Sequence, residues 1–186
     1  MIANHDIYIT PEQYLALEEK SPVKHEYING YIYAMAGASD PHITVTGNIF
    51  TLIRNHIRGS GCRVFFTDMK TRIETINRFY YPDVMVTCDE RDKGLLNYKK
   101  FPCLIIEILS DSTEAFDRGD KFKDYQNIET LQEYVLIDVK KPQVDRFRRN
   151  DQGLWVLQSY QESSFELQSI NFQGNMNDLY EDVSFL

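Results

Sequence analysis

Cysteine is scarce in this 186-residue chain: Cys62, Cys88 and Cys103 are widely spaced, odd in number and form no Cys-x-x-Cys pair. That pattern supports neither a disulfide framework nor a thiolate zinc site, and it leads to the expectation of a reducing, cytoplasmic setting. No apolar run approaches the roughly 20 residues needed to span a bilayer, and the N-terminus around His5 and Asp6 lacks the basic and apolar regions of a signal peptide. No membrane partner is expected. Basic residues are outnumbered, 20 Lys and Arg against 28 Asp and Glu, for a net charge of -8 and a pI near 5.0. This argues against a long nonspecific nucleic-acid surface while leaving room for a local basic cleft. Internal repeats and linkers are lacking as well. What the chain does have is 42% apolar and 13% aromatic residues, enough for a core without staples, so a single domain over residues 1–186 is expected.

Local signals divide that domain. Residues 7–12 read as a short extended piece entering a helix, with Thr10 as N-cap, Pro11 at the first position, Gln13 completing a capping box and an end before Pro22. Residues 23–36 alternate around Asn29-Gly30, the dipeptide best suited to the positive φ angles of a tight hairpin. Asp40, followed by Pro41, is expected to cap a long helix whose apolar face holds Ile43, Ile49, Phe50, Ile53 and Ile57, closed at Gly59-Ser60-Gly61. Strands are expected over residues 63–66, 69–76 and 80–86, then a polar loop over 89–100. Asp117 is read as the cap of a helix beginning at Asp117-Arg118-Gly119-Asp120, in which Lys121, Tyr125 and Ile128 share one face and Lys123 points away. A strand over 134–139, antiparallel strands over 144–149 and 155–160, and an edge strand with a closing tail around Phe165, Leu167, Ile170 and Phe172 complete the chain.

The chemistry is concentrated in residues 101–125. The run Cys103-Leu104-Ile105-Ile106-Glu107-Ile108-Leu109 is apolar on both alternating faces, as in a central strand covered on both sides, yet it carries one acid. An unpaired buried charge costs more than the packing it displaces returns, so Glu107 requires a metal ion, a lysine or a substrate. Asp83, after Pro82 in a strand, is a second acid at a buried place; read alone, it is equally a strand-end aspartate held by backbone donors. If the two carboxylates meet, a divalent cation relieves their repulsion and desolvation, and Mg²⁺ takes one or two carboxylates while keeping water and phosphate as further ligands. Such a centre polarises a scissile phosphate and activates water, with a nearby lysine offsetting charge in the transition state.

Pro82-Asp83, then Glu107 in an apolar strand, then Lys121, resembles the PD-(D/E)xK nuclease superfamily and, within it, the Uma2 family of restriction-endonuclease-like proteins. The resemblance covers most of the chain: Glu26-Tyr27-Ile28-Asn29-Gly30, His42, Tyr81-Pro82-Asp83, Ile106-Glu107-Ile108-Leu109-Ser110 with Ser112-Thr113, then Asp117, Lys121 and Tyr125, and Glu133-Tyr134-Val135-Leu136-Ile137-Asp138. It implies an α/β (α+β) fold with an αβββαβ core, a mixed central sheet flanked by helices, an added N-terminal hairpin and C-terminal antiparallel strands. It also implies that Asp83 and Glu107 bind Mg²⁺ or Mn²⁺. The lysine that the superfamily places two residues after the glutamate is Leu109 here, and the resemblance assigns its role to Lys121, with Lys70 a second source. Glu26 matches a family glutamate and either completes the acidic cluster or pairs across the hairpin with a cation such as Lys24. His42 either touches substrate and relays a proton or makes only local hydrogen bonds. Tyr125 is expected to pack beside the lysine, and Ser110 to be a turn residue, since no His-Asp pair is placed to activate it.

Arg54, Arg58, Arg63, Lys70, Arg72 and Arg78 form one basic region, and Lys140, Lys141, Arg146, Arg148 and Arg149 a second; each is either a cleft flank for DNA or ordinary balancing surface charge. The expected function is a divalent-metal-dependent endonuclease hydrolysing DNA phosphodiester bonds with Asp83, Glu107 and Lys121, aided by Glu26 and His42. The alternative is a catalytically inactive module of the same fold that binds nucleic acid or a protein partner. A homodimer is expected on the ground that two strands require two sites.

Overall fold

The computed structural model describes residues 8–185; Ile7, with the start of the extended opening piece, and the region of His5 and Asp6 lie outside them. Helix α1 (Pro11–Glu18) has the expected capping box: the Thr10 hydroxyl accepts from the Gln13 amide at 3.3 Å and the Gln13 side chain accepts from the Thr10 amide at 2.8 Å. Strands β1 (His25–Ile28) and β2 (Tyr31–Ala34) pair antiparallel around Asn29 and Gly30, whose φ values of 51° and 93° are the two left-handed residues that a two-residue turn demands. Helix α2 (Asp40–His56) takes Ser39 rather than Asp40 as its N-cap, so Asp40 lies in the first turn near the positive end of the helix dipole. Its buried stripe is Val45, Ile49, Ile53 and then Ile57. Ile43, expected on that stripe, is 61% exposed, because it sits two residues and therefore about 200° round the axis from Val45.

Strands β3 (Arg63–Phe66), β4 (Lys70–Ile73), β5 (Arg78–Tyr80) and β6 (Val84–Thr87) follow. The continuous strand expected over 69–76 ends early in a 3₁₀ turn, Glu74–Ile76, closed by Asn77 at φ 54°. The strand expected over 80–86 is cut at Tyr81-Pro82-Asp83. Pro82 has no N–H to give a ladder, and β5 and β6 belong to different sheets. The polar segment 89–100 holds a 3₁₀ turn and a short strand, β7 (Tyr98–Lys99), before β8 (Leu104–Ile108). Asp117 is not a cap: it lies inside α3 (Glu114–Arg118), and Gly119 separates α3 from α4 (Asp120–Tyr125). The chain closes with β9 (Glu133–Asp138), β10 (Gln143–Arg149), β11 (Trp155–Tyr160), β12 (Ser164–Leu167), β13 (Phe172–Asn175) and α5 (Met176–Leu179). The C-terminal segment is therefore not an edge strand of the main sheet, since β12 and β13 form their own hairpin.

The main sheet has the order β11-β10-β9-β8-β6-β3, with β8 parallel to β9 and antiparallel to β6; the second sheet runs β2-β1-β5-β4-β7. Alternation along β8 explains its wholly apolar appearance. Leu104, Ile106 and Ile108 pack toward α2, α5 and the C-terminal hairpin, while Ile105 packs toward Phe122, Tyr125 and Tyr134. Each such side chain, fully buried, contributes about 1.5–3 kcal/mol, enough together to offset a charge held in the same strand. In the second sheet Tyr27 and Phe79 pack on Tyr14 of α1, so β1 turns its alternate residue, Glu26, toward the opposite side. The molecule is an α+β protein of mixed sheets flanked by helices. No helix among the described residues is long and apolar enough to cross a membrane.

One expectation for cysteine, that no disulfide is supported, is overturned. Cys62 and Cys88 form a disulfide with Cα atoms 4.0 Å apart, because the β3–β6 register that pairs Arg63 with Thr87 sets them opposite one residue further on. Cys103 is a buried free thiol whose pKa burial pushes up to about 11.

Candidate active site

Val84 pairs with Ile106, so one step further Asp83 falls opposite Glu107. Asp83 Oδ2 accepts a 2.7 Å hydrogen bond from the Ile108 amide, and the Asp83 amide donates to Glu107 Oε2 at 3.4 Å. Glu107 Oε1 accepts from the Tyr125 hydroxyl at 3.0 Å and lies 3.0 Å from Lys121 Nζ. Tyr125 thus does more than pack beside the lysine. The ammonium also lies 3.3 Å from Glu26 Oε1 and 3.5 Å from Asp117 Oδ1. The side chains of Lys121, Glu26, Glu107 and Asp117 are all 4–7% exposed, so their charges must answer one another rather than water. On the rim, His42 Nε2 from the first turn of α2 is 3.3 Å from Asp83 Oδ2.

The electrostatics follow from three acids around one base. Burial raises the Glu107 pKa well above the usual carboxylate range; Lys121 opposes this, and Asp117 and Asp83 add to it. Glu26 is likewise raised by burial against the pull of Lys121. For Lys121 burial acts downward, but Glu107 and Glu26 outweigh it and hold the ammonium firmly protonated. For His42 burial also acts downward, and the hydrogen bond and charge of Asp83 turn the net shift upward.

The five residues singled out from the sequence therefore converge: Glu26, Glu107 and Lys121 in the buried cluster, Asp83 and His42 at its edge. Of the two readings of Glu26, the acidic cluster holds, since Lys24 pairs with Asp68 instead. Lys123 is exposed, and Leu109 fills apolar space at 3% exposure. Lys70 donates to the Tyr81 hydroxyl at 3.2 Å and stands over that ring, beside the Pro82-Asp83 turn. Ser110 hydrogen-bonds Ser112 and Thr113 as a turn residue does. Several basic residues serve the fold: Arg78 pairs with Asp124 at 2.9 Å, Arg72 with Asn77, and buried Arg146 with Glu133, whereas Arg54, Arg58 and Arg63 are exposed. Asp117 was missed as a member of the cluster. Its spacing of four from Lys121 was the available signal.

A strand-borne acid pair, a lysine brought in from the following helix and a mixed sheet between helices define a restriction-endonuclease-like protein. In agreement, a solved structure described as "a putative nuclease belonging to DUF820" from Anabaena variabilis superposes with a TM-score of 0.76, covering 92% of this chain and 97% of that one at 18% identity. The profile of the Uma2 family, described as "Putative restriction endonuclease", matches residues 11–177, and the chain belongs to that family. Two proteins of Synechocystis sp. are similar along most of their length. Uncharacterized protein slr1290 is 39% identical over 178 residues, 95% of this chain and 94% of that one; Uncharacterized protein sll1609 is 36% identical over 152 residues, 80% and 85%.

Proposed function

We propose that this protein is a divalent-metal-dependent endonuclease that hydrolyses DNA phosphodiester bonds at Asp83 and Glu107, with Mg²⁺ or Mn²⁺ as cofactor. The observation that carries the reading is the approach of Asp83, through its amide at 3.4 Å, to the Glu107 carboxylate 24 residues away in sequence, beside the buried ammonium of Lys121. The donor set fits a hard cation. Among the described residues, carboxylates and one imidazole line the centre around a single ammonium. No group of three or more His, Cys, Asp or Glu among the described residues could hold a metal ion, so an ion on Asp83 and Glu107 would take its remaining ligands from water and substrate phosphate.

Asp83 and Glu107 would hold the Mg²⁺, which would supply Lewis acidity toward a phosphate and a bound water. The chain does the rest. The Ile108 amide fixes the Asp83 carboxylate, Tyr125 fixes that of Glu107, and Lys121 orients the water or offsets the charge that builds on the phosphate. His42, 3.3 Å from Asp83 Oδ2, would relay a proton to the leaving oxygen. Two copies of the chain would supply the two sites that duplex cleavage needs. The test is cleavage of plasmid DNA with Mg²⁺ or Mn²⁺ by the wild type and by Asp83→Ala, Glu107→Ala and Lys121→Ala. Loss of cutting in the variants and in EDTA is expected; cutting that survives all three substitutions, or chelation, sinks the assignment. DNA retained without cutting, independent of metal, would favour the inactive binding module.

A further inference from the structure

Asp117 has no part in the mechanism above, yet its position is unusual. Its carboxylate is 4% exposed, Oδ1 receives no hydrogen bond, and the ion pair it makes is the long 3.5 Å contact with Lys121 Nζ. Its backbone is pinned, because the Tyr134 hydroxyl donates to the Asp117 carbonyl at 2.9 Å, and the break at Gly119 sets α4 apart as a separate segment. A buried acceptor without a donor calls for an explanation, and use in another state of the molecule is one.

Lys121 defines that state. Its Nζ shares Glu107 Oε1 with the Tyr125 hydroxyl, so the ammonium stands on the same carboxylate that a metal would need. Resting on the metal-dependent reading, we propose that Asp117 is a positioning residue that receives Lys121 when a divalent cation engages Glu107. An ammonium carries three donors on a flexible stem. When Lys121 gives up Glu107 it keeps Glu26 at 3.3 Å, and the N–H that is freed needs one acceptor. A movement of roughly 0.7 Å shortens the 3.5 Å contact with Asp117 to the length of a charge-assisted hydrogen bond. Glu26 and Asp117 together then hold the lysine beside the metal, where it faces the reacting phosphate.

The test is a double-mutant cycle on Mn²⁺ affinity, read by calorimetry in the wild type, Asp117→Asn, Lys121→Met and the double variant. If Asp117 works through the lysine, Asp117→Asn weakens Mn²⁺ about tenfold in the wild type and only about twofold once Lys121 is gone. An equal loss in both backgrounds overturns the proposal. A wild type that takes up no Mn²⁺, or whose uptake ignores Asp83→Asn, overturns instead the metal-dependent reading on which it rests. Thermal melting of Asp117→Asn alone keeps the test independent of how well Lys121→Met folds. In EDTA the melting temperature stays level or rises, since an unused acceptor is lost, while the rise on adding Mn²⁺ shrinks. A fall in EDTA with an intact Mn²⁺ response marks a merely structural aspartate and also overturns the proposal.

Discussion

Replacing Glu107 with glutamine should make the protein more stable while abolishing the proposed cleavage. Around Lys121 stand Glu26, Glu107 and Asp117, three carboxylates on one ammonium, all nearly inaccessible to water. For Glu107 burial outweighs the attraction of Lys121, and Asp117 and Asp83 act in the same direction as burial. Glutamine keeps the shape, its carbonyl still accepts from Tyr125, and Lys121 retains two acids. Replacing a whole buried ion pair by groups of similar volume ranges from neutral to stabilising by about 1–4 kcal/mol, and the loss of one member is costly when it strands the other charge; here Lys121 keeps Glu26 and Asp117, so no charge is stranded. The excess of acid here places the gain at about 1–3 kcal/mol, or roughly 2–4 °C in Tm per kcal/mol for a chain of this size.

The pH dependence has a definite sign. Glu26 and Glu107 are both raised above the value of 4.5 that they have when unfolded, so the folded state binds their protons more tightly. That contribution to stability is complete below 4.5 and is lost as pH rises through the folded values. Calorimetric melts in EDTA should therefore show the margin of Glu107→Gln over the wild type widening as pH rises from 4.5 through the raised folded value of Glu107. Lys121→Met is the converse, leaving three acids with no base and costing about 3–5 kcal/mol. A lower Tm for Glu107→Gln in EDTA, or a margin indifferent to pH, would refute the charge argument.

Two further predictions concern the scaffold. Reducing Cys62–Cys88, which closes a separation of 26 residues, should cost up to about 3.5 kcal/mol by loop entropy, seen as a lower urea midpoint in dithiothreitol; an unchanged midpoint would mean that strand pairing alone holds β3 on β6. Glu133, at 0% exposure, accepts from the Gln168 and Ser169 amides and from the Ser169 hydroxyl at 2.5–3.0 Å and faces buried Arg146, so Glu133→Ala should cost about 3–5 kcal/mol and expose the C-terminal hairpin to protease. Ordinary stability and protease resistance in that variant would contradict it.

Signals spanning a few residues were legible in the sequence. The capping box at Thr10, the Asn29-Gly30 turn and the inward aim of Lys121 each need only a short window, and the structure has all three. Glu107 was legible for a different reason, since a charge inside an aliphatic strand stands out wherever the strand lies. Features made by register were hidden. The Cys62–Cys88 bridge depends on how β3 flanks β6, which spacing does not encode, and the approach of Asp83 to Glu107 across β6 and β8 was implied by the family resemblance rather than by spacing. Asp117 was misplaced because an aspartate ahead of a glycine and a helical run has the form of a cap, whereas a preceding turn of helix draws it inside. The division between β5 and β6 was hidden similarly: Pro82 reads as a bend until the two sheets it separates are visible.

The order in which the centre's parts leave the ribosome carries its own consequence. Glu26 on the early hairpin emerges first, Asp83 and Glu107 later and Lys121 last, and β8 gains its parallel neighbour only once β9 has been made. Each acid depends on contacts far away in the chain, so a fragment that ends before β9 lacks the parallel neighbour that seats Glu107. A product terminated that early carries the residues of the cluster without the sheet that brings them together.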